Sequence, residues 1–83
     1  MNKLVWQARE ISVTESDECE PVDVMFEGRR RVECIMSRWR ISQEWWKRPV
    51  ERDYFCVRLE GGIICELFRD TATGNWQLQR VYD

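Results

Sequence analysis

The feature of this chain that most constrains its fold is a series of short segments in which apolar and polar residues alternate. Residues 52–60 are the clearest case. Phe55, Val57 and Leu59 fall on one face of an extended segment, and the residues between them fall on the other. A period of two predicts a β-strand with one buried face.

Similar alternation predicts further strands, and glycine marks the turns between them. The further strands are residues 22–27, 30–41, 63–69 and 76–82, with a first strand within 5–13. Turns are expected at Gly28, at Gly61-Gly62 and at Gly74, because glycine readily adopts positive φ. Val22, Val24 and Phe26 are expected to share one face of their strand.

The long segment of residues 30–41 carries apolar residues on both faces, which indicates a central or strongly bent strand. One predicted face holds Val32, Cys34 and Met36. The opposite face holds Glu33, Ile35, Ser37, Trp39 and Ile41.

Two segments interrupt the strand pattern. The acidic, polar segment of residues 15–21 ends in Pro21 and is predicted to be a loop. Residues 42–46 are predicted to break the sheet, with Ser42 capping a short helical turn. Pro49 disfavours both a regular helix and a central strand in its neighbourhood.

These patterns predict an all-β fold, an antiparallel meander of five to six strands. A sheet of this size, rich in aromatic residues, is expected to form a strongly curled sheet or a small barrel. At most a short helical turn is expected near residues 42–47. Residues 1–83 are expected to form a single domain, in which residues 1–21 are partly irregular and acidic.

The composition argues against an enzyme. The chain has no histidine, so the commonest general base near neutral pH is missing, and no phosphate-binding glycine motif is present. Cys19, Cys34, Cys56 and Cys65 lack the C-x-x-C spacing of a zinc site. The last three lie in apolar strand segments and are expected to be buried, reduced thiols. We therefore expect neither a metal nor another cofactor.

Charge is segregated along the chain, although the formal net charge is only −2. Residues 1–27 carry two basic and seven acidic side chains, and residues 28–58 carry nine basic and four acidic ones. Tryptophan and arginine are interleaved in the basic segment. The candidate partner-binding residues there are Arg38, Arg40, Trp45, Trp46, Arg48 and Arg52.

Three interpretations of this cluster remain open. The first is core packing, with Trp39 and at least one of Trp45 and Trp46 filling the core and arginine stems covering the rings. The second is a protein-binding surface, since tryptophan and arginine dominate interface hot spots. The third is a surface for single-stranded nucleic acid, on which bases stack against the exposed rings.

Residues 39–83 resemble a bacterial domain family of unknown function. The residues that carry the resemblance are Trp39-Arg40, Trp45-Trp46, Pro49, Arg52-Asp53-Tyr54-Phe55, Val57, Leu59, Gly62, Leu67, Arg69-Asp70, Gly74, Trp76 and Val81-Tyr82-Asp83. The family occurs as short stand-alone proteins. A similar block closes the C-terminus of polymerase-like proteins related to the Y-family translesion enzymes, including the inactive mutasome subunit. The resemblance implies an accessory role in DNA-damage tolerance and supplies no activity.

We therefore expect a non-enzymatic interaction module with an unknown protein as partner, or alternatively a single-stranded nucleic-acid binder. Either a monomer or a homodimer paired through an open sheet edge is expected. No segment is apolar enough to span a membrane or to act as a signal peptide, so the sequence predicts a cytoplasmic protein.

Overall fold

A computed structural model describes residues 2–45 and 48–82 of the chain, with side chains described for residues 8–43 and 49–82. The described segments contain seven β-strands. They are β1 (Asn2–Glu10), β2 (Val13–Glu15), β3 (Pro21–Met25), β4 (Arg29–Trp45), β5 (Arg48–Leu59), β6 (Ile64–Asp70) and β7 (Trp76–Tyr82). No helix long and apolar enough to cross a membrane occurs in these segments.

The strands form one antiparallel sheet that curls into a half-barrel. Its strand order is β1-β7-β6-β5-β4-β3-β2, so β3 to β7 follow one another as a meander. The predicted all-β, antiparallel and strongly curled architecture is confirmed. The strand count is seven rather than five to six, because the N-terminal segment forms two strands.

The core lies on the concave face of the sheet, which we call the inner face. Phe55, Val57 and Leu59 of β5 are at most 1% exposed, as the alternation in that segment predicts. The other buried members of the core are Val24, Cys65, Leu67, Trp76, Leu78 and Val81. Full burial of one large apolar side chain contributes about 1.5–3 kcal/mol, so this one face supplies most of the hydrophobic stabilisation.

A two-residue link bridges the two ends of the sheet. β1 and β2 are the outermost strands in the order, and only Ile11 and Ser12 connect them. The Ile11 N–H donates to the Trp76 carbonyl at 3.1 Å, and the Ser12 carbonyl accepts from the Met25 N–H at 2.9 Å. The link is therefore hydrogen-bonded both to the first residue of β7 and to the last residue of β3, and it connects these two strands across one end of the half-barrel.

The turn between β5 and β6 requires glycine at both positions. Gly61 and Gly62 have φ of +94° and +83°, a region that L side chains rarely adopt. A Cβ at Gly61 would also lie 2.9 Å from Nη1 of Arg30, which donates to the carbonyl of Glu60 in the same turn. The sequence predicted this hairpin, and the structure confirms it.

Irregularities in the strand pairing overturn two predicted face assignments. Val22 is 40% exposed, whereas Val24 is fully buried. The cause is a bulge in β3. Thr14 of β2 pairs with Asp23 and Glu15 pairs with Pro21, so Val22 has no residue opposite it on β2. In β4 the register shifts twice, between Val32 and Cys34 and again between Ile35 and Ser37. Each such bulge moves the following residues to the other face. Val32 and Ile35 therefore both pack on the core, and Cys34 and Met36 are exposed.

The predicted break at residues 42–46 is wrong as far as the described residues extend. β4 continues through Trp45, and β5 begins at Arg48. Residues 42–45 pair with residues 48–51, and the pairing of β5 with β6 begins only at Arg52. We call these eight residues the hairpin arm. Pro49 fits there because β5 has a neighbouring strand on one side only at this point.

Candidate interaction surface

The structure describes the side chains of three of the six predicted binding residues, and these three are divided between the two faces of the sheet. Arg38 pairs with the core residue Phe55, and Arg40 pairs with Asp53, so both arginines lie on the inner face. Arg52 pairs with Ile41 and lies on the convex face, which we call the outer face. The described part of the cluster is therefore not one continuous surface.

Arg38 is held by an ion pair and an aromatic ring. Its Nη1 lies 2.5 Å from Oε2 of Glu20, in the acidic loop between β2 and β3. Its guanidinium carbon lies 5.2 Å from the centroid of the Phe55 ring, which is within the range of a cation–π interaction. Arg38 thus covers the exposed end of the core, and its charge is balanced inside the chain.

Arg40 is also paired within its own chain. Its Nε and Nη2 donate to the two carboxylate oxygens of Asp53 at 2.7 and 3.2 Å, and its Nη1 lies 3.5 Å from Glu51. The hydrogen bonds from Arg40 hold the pKa of Asp53 below its ordinary value, although burial acts in the opposite direction. The bidentate geometry fixes the guanidinium plane.

The acidic N-terminal segment neutralises arginines on the inner face. Oε1 of Glu15 accepts hydrogen bonds from Nε of Arg69 at 2.9 Å and from Nε1 of Trp76 at 2.5 Å. Glu20 pairs with Arg38, as described above. Contacts inside the folded chain therefore neutralise part of the segregated charge, through the pairs of Arg38 with Glu20 and of Arg69 with Glu15.

Arg52 packs over an aromatic ring on the outer face. Its guanidinium carbon lies 4.6 Å from the centroid of Phe68, a residue that is only 1% exposed. The Arg52 Nε is buried and has no hydrogen-bond partner among the described residues. Arg52 therefore shields a ring, which is the structural role that the sequence left open for the arginines of this cluster.

An aromatic row runs across three strands of the outer face. Trp39 and Tyr54 stack with ring centroids 5.4 Å apart and an interplanar angle of 11°, and Tyr54 lies 5.0 Å from Phe68. Nothing in the local sequence pattern identifies Tyr54 or Phe68 as a partner of Trp39. The missing information was the register, which places Trp39 opposite Tyr54 and Tyr54 opposite Phe68.

Trp39 is not a core residue. It is 38% exposed, and Ile41, the next residue on the same face, is also 38% exposed. The prediction that Trp39 fills the core is therefore wrong, because the second β4 bulge directs it away from the inner face. Two adjacent large apolar side chains thus contact solvent at the base of the hairpin arm.

The remaining three predicted residues belong to the end of the hairpin arm. The backbones of Trp45 and Arg48 pair with each other as the last described pair of the β4–β5 ladder. Their side chains lie outside the described part of the structure, as does Trp46 entirely. The prediction of a binding role for these three side chains remains a prediction.

A cavity of about 350 Å³ opens next to the link between β1 and β2. It lies between residues 10–13 and residues 74–76. Among the described residues that line it, Glu10 is the one carboxylate, and Ser12 and Asn75 are neutral polar residues.

Of the three cysteines predicted to be buried, only Cys65 is fully buried. All four are free, but Cys34 is exposed rather than buried, because the first β4 bulge turns it away from the core. Cys56 is half-buried on the outer face and Cys65 is buried on the inner face. Burial, and to a smaller extent the neighbouring Cys56, raises the pKa of Cys65 to about 12.

These environments predict selective alkylation. At about pH 8, iodoacetamide is expected to modify Cys19 and Cys34 first, because the thiolate is the nucleophile and both thiols are exposed. Cys65 is expected to stay unmodified until the protein is unfolded. Peptide mass spectrometry against time measures each site, with a denatured sample as the control. Modification of Cys65 as fast as Cys34 in the native protein would show that the inner face is not packed as described.

Comparison with known proteins gives no relative. No protein-family model, no curated protein and no solved structure matches this chain.

Proposed function

We propose that this chain is a non-enzymatic module that binds another protein through its outer face. The proposed docking face consists of Trp39, Ile41 and the hairpin arm. The observation that carries the proposal is the exposure of Trp39 and Ile41 side by side on one face of the sheet, with Trp39 stacked on Tyr54. A pre-ordered aromatic ring loses little conformational entropy when it is buried by a partner.

The placement of the arginines favours a protein over a nucleic acid as the partner. A surface for single-stranded nucleic acid combines exposed rings with cations that track the phosphates along the same groove. Here Arg38 and Arg40 lie on the face opposite to Trp39, and each is already paired with a carboxylate. Arg52, which shares the face with Trp39, is engaged with Phe68.

The chemistry of the chain supports a binding role rather than catalysis. A single carboxylate in the cavity beside the β1–β2 link does not form an acid–base pair, and histidine is absent from the sequence. The resemblance to the C-terminal block of mutasome proteins is the reason for proposing an accessory role in DNA-damage tolerance, with the partner a protein of that assembly.

The test is affinity enrichment of partners from source cells with matched variants. The double substitution Trp39→Ser and Ile41→Ser removes the proposed docking residues, which are exposed and are not expected to unfold the chain. Val22→Ser with Met25→Ser removes two residues of equal or greater exposure on β3 and serves as the control. We expect partners retained by wild type and control to be depleted about tenfold or more by the first variant, as for a tryptophan hot spot.

Equal enrichment by all three proteins would contradict the proposed docking face. If the control variant lost its partners to the same extent, general destabilisation would explain the loss of partner enrichment. Thermal denaturation of each variant separates that case from a specific effect.

A single-stranded nucleic-acid binder remains the second candidate. The observation that favours it is the exposed Trp39 ring, against which one base could stack.

A further inference from the structure

β4 carries a long strand edge that has no pairing partner among the described residues. On one side, β4 pairs with β5 from Val32 to Trp45. On the other side, β3 pairs only with Arg29, Arg30 and Arg31. The free edge therefore begins at Val32. Such an edge presents unpaired N–H and C=O groups at alternate residues and is a template for a further strand.

The two ends of this edge differ in how well they are protected. The two bulges of β4 lie between Val32 and Ser37, and bulges are a common means of blunting a sheet edge. The ion pair of Glu20 with Arg38 brings the acidic loop to the start of the second part, on its inner face. From Ser37 to Trp45 the register is regular, so this part of the edge is straight enough to accept a strand.

We infer that two copies of this chain pair antiparallel along the free β4 edge, with Arg40 of one copy opposite Arg40 of the other. The inference goes beyond the proposed function, because it concerns the edge of β4 rather than its outer face. Pairing at the edge extends the outer face and does not cover it. The docking faces of two copies would then form one wider surface.

The register follows from the side chains on β4. With Arg40 at the two-fold axis, Trp39 of each copy lies opposite Ile41 of the other, and both pairs are on the outer face. Centring the pairing on Trp39 would instead set Arg38 opposite Arg40. Centring it on Ile41 would set Trp39 opposite Gln43. A Trp39-centred pairing would also set Ile41 opposite Ser37. Only the Arg40 register therefore gives both Trp39 and Ile41 of each copy an apolar residue opposite them.

The charges permit the close approach of the two Arg40 side chains. Each Arg40 is bound by both carboxylate oxygens of Asp53 and lies 3.5 Å from Glu51 of its own chain. Like charges directly opposite each other destabilise a strand pair, but here each guanidinium is already balanced. A foreign strand would have to supply an apolar residue opposite both Trp39 and Ile41, whereas a second copy already provides them.

The first test is the mass of the protein in solution as a function of concentration. Sedimentation equilibrium is expected to show a weight-average mass that rises from 10.1 kDa towards twice that value in the micromolar range. Ile41→Lys is expected to keep the protein monomeric at all concentrations, with an unchanged melting temperature. Met25→Lys, at a more exposed apolar residue of β3, is expected to dimerise like wild type.

A wild-type protein that stays monomeric would overturn the inference, and so would dimerisation of Ile41→Lys. Neither result bears on partner capture, so failure here is distinguishable from failure of the proposed function.

The second test fixes the register by disulfide formation. In a background with Cys19→Ser and Cys34→Ser, Arg40→Cys is expected to form an intermolecular disulfide under mild oxidation, because position 40 faces itself across the axis. Ser42→Cys is the matched control, since position 42 faces Arg38 of the second copy. Cross-linking of Ser42→Cys in preference to Arg40→Cys would overturn the proposed register.

Discussion

Phe55→Ala is expected to destabilise the protein by about 3–5 kcal/mol, the largest loss among the substitutions considered. Phe55 is 1% exposed and packs against Trp76 with ring centroids 5.4 Å apart. Its ring also supports the guanidinium of Arg38. A chain of this length has a free energy of unfolding of about 4–12 kcal/mol in total, so the substitution removes a large share of it.

Urea denaturation followed by tryptophan fluorescence measures this loss. Met36→Ala is the matched control, because Met36 is 54% exposed and truncating it leaves no cavity in the core. The control is expected to change the free energy of unfolding by less than about 0.5 kcal/mol. If Phe55→Ala were no more destabilising than Met36→Ala, Phe55 would not lie in the core of the half-barrel.

Glu15→Gln is expected to destabilise the protein at neutral pH by about 1–2 kcal/mol, and by much less in acid. Burial raises the pKa of Glu15, but the hydrogen bonds from Trp76 and Arg69 outweigh burial and lower the pKa below its ordinary value. A carboxylate whose pKa is lowered by folding stabilises the protein above its unfolded-state pKa. That stabilisation is lost as the pH falls through the folded-state pKa.

Denaturation midpoints at about pH 7 and about pH 3 test this expectation. Because folding lowers the pKa of this carboxyl, its stabilisation is lost as the pH falls through the folded-state pKa, and the wild-type and Glu15→Gln midpoints are expected to approach each other towards acid. Glu18→Gln changes an exposed carboxylate in the loop that follows β2 and serves as the control, with little effect at either pH. A Glu15→Gln deficit that persisted unchanged in acid would mean that the ion pair with Arg69 is not its cause.

The sequence was most informative where strand alternation was uninterrupted. The hairpin from β5 to β6 and the turn before β7 follow from period-two patterns ended by glycine, and the structure has both. The face predicted from alternation was wrong for Val22 and for Cys34. In each strand a bulge adds one residue, and the residues beyond it lie on the opposite face. A bulge depends on how two strands pair, and that information is not present in the pattern of one strand.

The candidate surface was predictable only in part. Composition pointed to the Trp/Arg-rich segment, but adjacent residues of a strand point to opposite faces, and Arg38 and Trp39 are therefore separated. The partners of these side chains come from distant parts of the chain. Glu20 lies 18 residues from Arg38 in sequence, and Glu15 lies 54 residues from Arg69. Such long-range ion pairs follow from the curl of the sheet and not from local sequence.

The central claim is that the exposed residues Trp39 and Ile41 belong to a protein-binding face, and that Arg38, Arg40 and Arg52 are engaged in contacts within the chain. Titration of the intrinsic tryptophan fluorescence with single-stranded DNA, at low and at moderate salt, tests this claim most directly. We expect no saturable change at micromolar DNA at either salt concentration. Saturable quenching that weakens as salt is raised would contradict the claim, because it would show cations and an exposed ring acting together on a nucleic acid.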